Sequence, residues 1–508
     1  MKRYLYLWHR WLGIGLCLLM ALWFVSGLVM MYVGYPKLTP REHLAQLPAL
    51  SAEDCCVPLA QVLAAADERQ APAAVRLTTV AGQPRYLLRY GQRVLAVDAR
   101  SGQRLAGVDE QAARAAARQF APGRGASYQG LVDEDAWTHS RALDADRPLH
   151  RVELDDGTLL YVSSHSGEVV RDATASERSW NWLGAWLHWL YPLRGGTLDR
   201  WWGDIVIYLS LAATLMTLLG IVVGLLRWRF AKPYRSGARS PYRGLARWHH
   251  IGGLAFGALV LTWIFSGLMS MNPWRLFTTP TPLDMAAYQG AELRAEAFPL
   301  PAQQAIVRLR EAGLSARELH WRLVGGRAYL QGVDASGATA LLPAEGDGTL
   351  LHGLTDAELL RAAQAIRPQE RLQVERLNAY DFYYYARAEH SMLGHLERPL
   401  PVLRVRFDDP AQTWLHLDPR TGSVVGRLDA DQRTSRWLFA LLHSWDWLPL
   451  LQNRPLWDGW MWLASLGGLL ICLSGTLLGW RRLRRRPRPS PSRARPARSA
   501  GRRDTLYP

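Results

Sequence analysis

Two stretches decide how this chain is read: LWHRWLGIG, residues 7–15, and RWHHIGGLAFG, residues 247–257. Each sets a tryptophan and a histidine at the lip of an apolar run. A shift of 240 residues lays Trp8 on Trp248, His9 on His249 and Gly13 on Gly253, and lays WFVSGLVM (23–30) on WIFSGLMS (263–270). A shift of 243 lays Pro58 on Pro301 and Tyr86 on Tyr329, and a shift of 251 lays Arg147-Pro148-Leu149 on Arg398-Pro399-Leu400. At 255, Thr158 meets Thr413, Gly167 meets Gly422, Trp182 meets Trp437, His188 meets His443, Trp202 meets Trp457 and Gly220 meets Gly475. The offset drifts one way and keeps the order, which chance matching would not do. The chain reads as an internal duplication with halves at roughly 1–230 and 241–485.

The apolar runs 11–33, 203–226, 251–271 and 459–480 are each near the ~20 residues needed to cross ~30 Å of hydrocarbon. The first has too long an apolar core for a signal peptide, and no small-residue cleavage site follows it. Lys2, Arg3 and Arg10 precede the first run, seven basic residues and no acid lie from Arg227 to Arg247, and eleven arginines with one aspartate lie from Arg481 onward. The rest of the chain is net acidic, so the formal charge of +16 is concentrated in three segments beside apolar runs. That is the positive-inside pattern rather than a nucleic-acid footprint, although a basic tail can also bind RNA or anionic lipid.

The expected fold is therefore a membrane protein with four transmembrane α-helices in two parallel internal repeats. Both halves begin and end on one side, so their axis runs along the membrane normal. The expected division is 1–33, cytoplasmic N-terminus and first span; 34–200, first outside domain; 201–230, second span; 231–247, basic cytoplasmic loop; 248–271, third span; 272–456, second outside domain; 457–480, fourth span; and 481–508, a Pro, Ser and Arg tail too poor in apolar residues to fold. The mean hydropathy of −0.10 fits a few spans carrying large soluble parts. In the outside segments, strand-like alternation runs through 85–99, 158–170, 403–409 and 413–425. Glycine-containing hairpin turns join strands there, and Ala-rich helical patterns stand at 58–68 and 301–312, which predicts α+β domains.

Four cysteines include no CxxC or CxxCH pattern, so no zinc ribbon and no covalent haem attachment is expected. Cys55 and Cys56 are adjacent and could form only a strained bridge. No GxGxxG follows a strand, and there is no P-loop and no nucleophile elbow. The cytoplasmic segments are too short to fold a flavin or nicotinamide domain, so electrons, if the chain carries them, come from quinol or a separate reductase.

Of fourteen histidines only two pairs survive the superposition: His9 with His249, and His188 with His443. Interfacial histidines beside tryptophan belts are one explanation. The other is axial ligation, in which two neutral imidazoles hold a haem iron from opposite sides. Gly13 and Gly253, one helical turn on from their histidines, would leave room for a flat macrocycle. Arg10, Arg243, Arg247 and Arg194 lie near enough in sequence to meet propionates, and headgroup contact is the alternative for each. His250 is a second choice for the inner ligand. Zinc is a weaker competitor, because no cysteine or carboxylate accompanies the pairs. The stretch YDFYYYARAEHSMLGH (380–395) concentrates tyrosines, Asp381 and two histidines. It is read either as an aromatic stripe on a sheet or as a substrate site with Asp381, Tyr383 and Tyr384. In the first half, DEDAWTHS (133–140) stands in its place, with Asp135 on Asp381 and Trp137 on Tyr383.

The two helix openings, YDFYYYARAEH, RPLPVLRVRFDDPAQTWLHLDPRTGSVV and RWLFALLHSWDWL together resemble the PepSY-associated transmembrane proteins, over nearly the whole chain except the basic tail. The second half fits better than the first, where DAWTHS, RPLH and SSHSG depart from the pattern. The resemblance implies a bacterial inner-membrane, multi-pass protein with cytoplasmic termini and two PepSY-like periplasmic domains. Several members are similar to haem-containing ferric-siderophore reductases. It further implies that His9, His249, His188 and His443 ligate two haem b groups and that a ferric siderophore or similar chelate accepts the electron. A non-enzymatic PepSY protein that binds or regulates a peptidase or transporter is the second expectation. A permease is the third, disfavoured because Asp204 is the only charged residue within a span.

Overall fold

The four apolar runs fold as the helices Lys2–Met30, Trp202–Arg227, Gly244–Ser270 and Arg454–Leu483. All four are long and apolar enough to cross a membrane. They were obtained from a computed structural model that describes residues 2–484 except 54, 195, 278–281, 346–348, 389–390, 392–393 and 395. Of the expected 481–508 tail, residues 481–483 instead continue the fourth helix, and 485–508, with His390 and His395, lie outside the described residues. The first and third helices begin well before their apolar runs, because Trp, Arg, Leu and Ala carry a helix onward with no proline to stop it. His9 and His249 are thus inside the helices rather than ahead of them.

The helices form a ring. The first packs on the second and fourth, the third packs on the same two, and first and third face each other across the diagonal. Their shared core holds Cys17, Met20, Phe24, Met216, Trp263, Met461 and Cys472. Glycines on the fourth helix set the approach distance. A Cβ on Gly468 would fall 2.3 Å from the Phe24 ring, so only glycine lets that ring lie flat on the helix.

The segments between the helices build antiparallel sheets. In the first, strands β1 (Ala74–Val80), β2 (Gln83–Tyr90) and β3 (Arg93–Asp98) are followed by the meander β4 (Ala126–Val132), β5 (Leu149–Leu154), β6 (Leu159–Ser163) and β7 (Val169–Ala173). In the second, β8 (Glu318–Val324), β9 (Arg327–Val333) and β10 (Thr339–Pro343) are followed by the meander β11 (Leu372–Leu377), β12 (Val402–Phe407), β13 (Trp414–Leu417) and β14 (Val424–Leu428). The expected strands and both Ala-rich helices, Leu59–Ala66 and Ala302–Glu311, are present. Two more helices, Glu110–Phe120 and Asp356–Ile366, start at the caps Asp109 and Thr355. Hairpin glycines Gly167 and Gly422 take φ of 77° and 70° at the turns read from the sequence.

The sequence does not anticipate that the two segments share a sheet. Strand β1 pairs with β8, with Val75 opposite Trp321 and Leu77 opposite Leu319. The result is a six-stranded sheet in the order β10-β9-β8-β1-β2-β3. One apolar core runs beneath it, holding Leu77, Tyr86 and Leu88 with Leu319, Trp321 and Leu330. Cys55 and Cys56 are joined as a vicinal disulfide beside that core.

Candidate functional site

The two superposed histidine pairs of the sequence become two physical pairs. At the end of the bundle away from the sheets, the His9 and His249 rings lie 6.3 Å apart, centre to centre. At the end beneath the sheets, the His188 and His443 rings lie 6.1 Å apart. His9 and His249 project from the diagonal first and third helices. His188 and His443 come from short segments that lead into the second and fourth.

Each ring rests on a glycine of a neighbouring helix. A Cβ on Gly220 would stand 2.7 Å from His9, and one on Gly475 3.2 Å from His249; at the other end, Gly27 and Gly267 would stand 3.5 Å from His188 and 3.7 Å from His443. The matched glycines of the sequence thus make room for the imidazoles themselves.

The segments carrying the sheet-side histidines are built alike. A π-helical turn, Trp182–Trp186 in one and Arg436–Leu441 in the other, precedes each histidine by two residues. Two residues beyond, Leu190 and Trp445 take left-handed φ of 53° and 50°. Such conformations cost a non-glycine residue about 1–3 kcal/mol and mark places where the backbone is aimed. Indole N–H groups fix the turn: Trp202 donates to the Trp189 carbonyl at 2.7 Å, and Trp457 to the Ser444 carbonyl at 2.9 Å.

Hydrogen bonds decide which nitrogen of each ring is free. His9 Nδ1 lies 3.2 Å from the Met216 carbonyl, which can only accept, so Nδ1 carries the proton. His249 Nδ1 meets the Ile471 carbonyl at 3.1 Å and the Ser474 hydroxyl at 3.0 Å. His188 Nδ1 donates to Ser26 Oγ at 3.1 Å, and that hydroxyl spends its own proton on the Trp23 carbonyl. His443 Nδ1 meets Ser266 Oγ at 3.0 Å and the Trp263 carbonyl at 3.3 Å. In all four rings Nδ1 is the donor, and among the described residues Nε2 has no hydrogen-bond partner. This is the arrangement that orients a metal-ligating histidine.

Two imidazoles on one metal, each held at ~2 Å through a ring nitrogen, place their ring centres roughly 6 Å apart. Both pairs meet that spacing. Zinc would call for about four protein ligands. Among the described residues, the one cluster of three or more converging His, Cys, Asp or Glu donors lies elsewhere. The pairs therefore suit a metal that brings its own equatorial nitrogens, as in haem. A cavity of about 770 Å³ opens beside His9 and His249, lined by Gly13, Gly253 and, at its rim, Arg10, Arg243, Arg481 and Arg482. It lies inside the roughly 300–1,000 Å³ range of small-molecule sites. Among the described residues a Cβ on Gly253 would meet nothing within 4 Å, whereas one on Gly13 would touch Cys17 Sγ at 3.7 Å and Met216 Sδ at 3.9 Å, so open space stands at one of the two expected glycines.

Other expected residues are placed differently. His250 is buried and spent, with Nε2 on the Gly224 carbonyl at 2.9 Å and Nδ1 on Ser240 Oγ at 2.8 Å, so His249 alone of the two faces His9. Arg194 is held in the sheet-side loop by Asp199 at 3.2 Å and over the Trp202 ring, and Arg247 does not line the cavity. Arg481 and Arg482 take their place; the sequence offered them only as topology signals. Asp381 pairs with buried Arg404 and caps the amides of Tyr383 and Tyr384. Tyr384 is 1 % exposed and stacks on His416. Both residues knit the second meander together, with Tyr384 buried and the Asp381 side chain one-third exposed. Tyr383 accepts from Trp437 Nε1 at 3.0 Å, in the turn that leads to His443.

The cluster with converging donors is His43, Glu168 and Glu318, whose ligand atoms lie within 4.8 Å of one another. Arg76 donates to both carboxylates. The positive charge a metal would supply is already there, so the cluster is a buried ion network joining both sheet segments.

A family model described as the PepSY-associated TM region matches residues 6–324. The match takes in both helix openings and stops short of the 380–443 motifs. No curated protein matches the chain.

Proposed function

The chain belongs to the PepSY-associated transmembrane family, and on that premise we propose a haem-containing reductase of the bacterial inner membrane, passing electrons outward to a periplasmic ferric siderophore or similar chelate. One observation carries the reading: two pairs of imidazoles with ring centres 6.3 and 6.1 Å apart, each ring with Nδ1 spent on the protein and Nε2 without a hydrogen-bond partner among the described residues. His9 and His249 would hold one haem b, and His188 and His443 a second. When bound, the group supplies one-electron redox chemistry.

The chain's own residues do the rest. Burial, with the neighbouring His443, pushes His188 down to about 3, and burial pushes His443 to about 4, so both stay neutral and able to ligate at physiological pH. Ser26 and Ser266 hold the two rings in the required tautomer. At the other end Arg10, Arg243, Arg481 and Arg482 offer charge to carboxylate tails. The basic segments put the termini and the 231–247 loop in the cytoplasm and the sheets in the periplasm. The two halves read as a parallel duplication about the membrane normal, which accounts for paired ligands at both faces. A membrane quinol, oxidised to quinone with loss of two protons, would reduce two ferric chelates to ferrous ones. Hard oxygen chelators hold ferrous iron far less tightly than ferric iron, so reduction is release.

The purified protein should be red, with a Soret band that shifts on dithionite and two haems per chain by pyridine haemochrome assay. A colourless, fully folded protein whose loss alters a peptidase or transporter would instead support the regulatory reading.

A further inference from the structure

A groove of about 820 Å³ lies between the sheets near the bundle end that carries His188. Four cationic side chains, Lys37, Arg76, Arg89 and Arg171, line it against two carboxylates, Asp146 and Glu168. Arg76 is spent on Glu168 and Glu318. Asp146 is raised by burial, which favours its neutral form.

Arg171, on β7, is buried with no carboxylate among the described residues to meet its charge. It is only 6 % exposed. Its guanidinium donates to the carbonyls of Pro36 and Trp137, and its Nε has no partner. Among the described residues no carboxylate reaches it within ion-pair distance. An uncompensated buried charge costs several kcal/mol. Arg89, on β2, is exposed and likewise lacks a carboxylate partner among the described residues.

Aromatic rings complete the wall. Tyr35 lies 5.6 Å beneath the Arg171 guanidinium and 5.8 Å from Trp189, and Tyr191 lies 4.8 Å from His139. Trp189 follows His188 directly in the chain. A ligand seated in the groove therefore lies against the side chain next to a proposed iron ligand.

Resting on the reductase reading, we propose that this groove is the docking site of an anionic, oxygen-rich ferric chelate, its charge met by Arg171 and Arg89 and its body lying against Trp189 and Tyr191. Planar guanidinium groups pair with carboxylate and phenolate oxygens two bonds at a time, which a lysine-rich surface would not do. The groove replaces the Asp381–Tyr384 stretch as the substrate site.

Gallium(III) citrate, which has the charge and shape of its ferric counterpart but accepts no electron, is the probe. Isothermal titration into the full-length detergent-solubilised protein should give saturable binding that weakens with salt. A cationic gallium trihydroxamate should bind less tightly. Arg171→Gln and Arg89→Gln should each weaken gallium citrate about tenfold or more. Arg171 also holds two carbonyls, so the decisive variant is Arg89→Gln, whose exposed side chain makes no hydrogen bond or ion pair among the described residues and whose melting curve should match the parent. Binding unchanged in Arg89→Gln, or no binding by the parent, overturns the proposal. Because gallium carries no redox demand, the two readings separate. Colourless protein that binds gallium citrate through Arg89 and Arg171 sinks the reductase and keeps the groove. Red protein indifferent to both arginines sinks the groove alone.

Discussion

His9 and His249, 240 residues apart in the chain, stand ring to ring at 6.3 Å across the diagonal of the helical bundle. Their Nδ1 atoms are tied to the second and fourth helices through Met216 and Ile471. All four helices therefore fix one pair of Nε2 atoms. His9→Ala should remove one haem and leave the spectrum of the His188–His443 site, while His443→Ala should remove the other. The readout is haem per chain with a low-temperature difference spectrum of each variant. Loss of both from either change would mean that the substitution unfolds the bundle.

Gly253 offers a sharper test, because beyond its own helical turn no described atom lies within 4 Å of the Cβ it lacks. Gly253→Leu places a side chain in the cavity that Gly253 lines. On a helix interior it also replaces a residue about 1 kcal/mol worse than alanine, so folding should be kept or improved. Haem content should fall from about two to about one per chain, with the helical circular dichroism unchanged. Full haem content in that variant would show that the cavity is not where the group sits.

How much of this was legible in the sequence depends on what fixed each feature. The four helices follow from apolar length alone, and the histidine pairs from the offset that laid Trp8-His9 on Trp248-His249. The Ser26-Gly27 and Ser266-Gly267 matches were visible in the same comparison, but their use was not. That required knowing that each serine faces the Nδ1 of a histidine more than 150 residues away. His249 and His250 could not be ranked from sequence, since a single helical step of 100° decides which one faces inward. The tyrosine-rich 380–385 stretch has a structural use that no local pattern shows: Asp381 pairs with the buried Arg404, whose guanidinium lies over the Trp414 ring. Pairing of β1 with β8 joins strands from the two halves of the chain, and no local pattern encodes it.

Arg76 ties three elements through Glu168 and Glu318, which are 9 % and 8 % exposed. Burial by itself would raise Glu318, but Arg76, with a hydrogen bond from His320 and the nearby His43, holds it well below the usual carboxylate range. Removing the guanidinium leaves two buried carboxylates facing each other. Arg76→Met should destabilise the sheet region by about 3–5 kcal/mol, read as a lowered thermal midpoint. Adding Glu318→Gln should recover part of the loss. A melting curve unchanged in Arg76→Met would mean that the network contributes nothing to holding the two segments together.

Asp172, on β7, is pushed up to about 7 by burial and by Glu177 and Glu42, each of which caps a nearby helix. Between the ordinary value of 3.8 and about 7, the folded chain binds a proton that the unfolded chain has lost. Stability must therefore fall as pH rises through that window, and the cost is complete above it. Asparagine copies the protonated carboxyl in shape and cannot ionise. Asp172→Asn should raise the thermal midpoint at about pH 8 and leave it nearly unchanged at about pH 3, below the ordinary value. An equal shift at both values would assign the effect to packing, and a drop at about pH 8 would mean that the ionised carboxylate has a partner worth keeping.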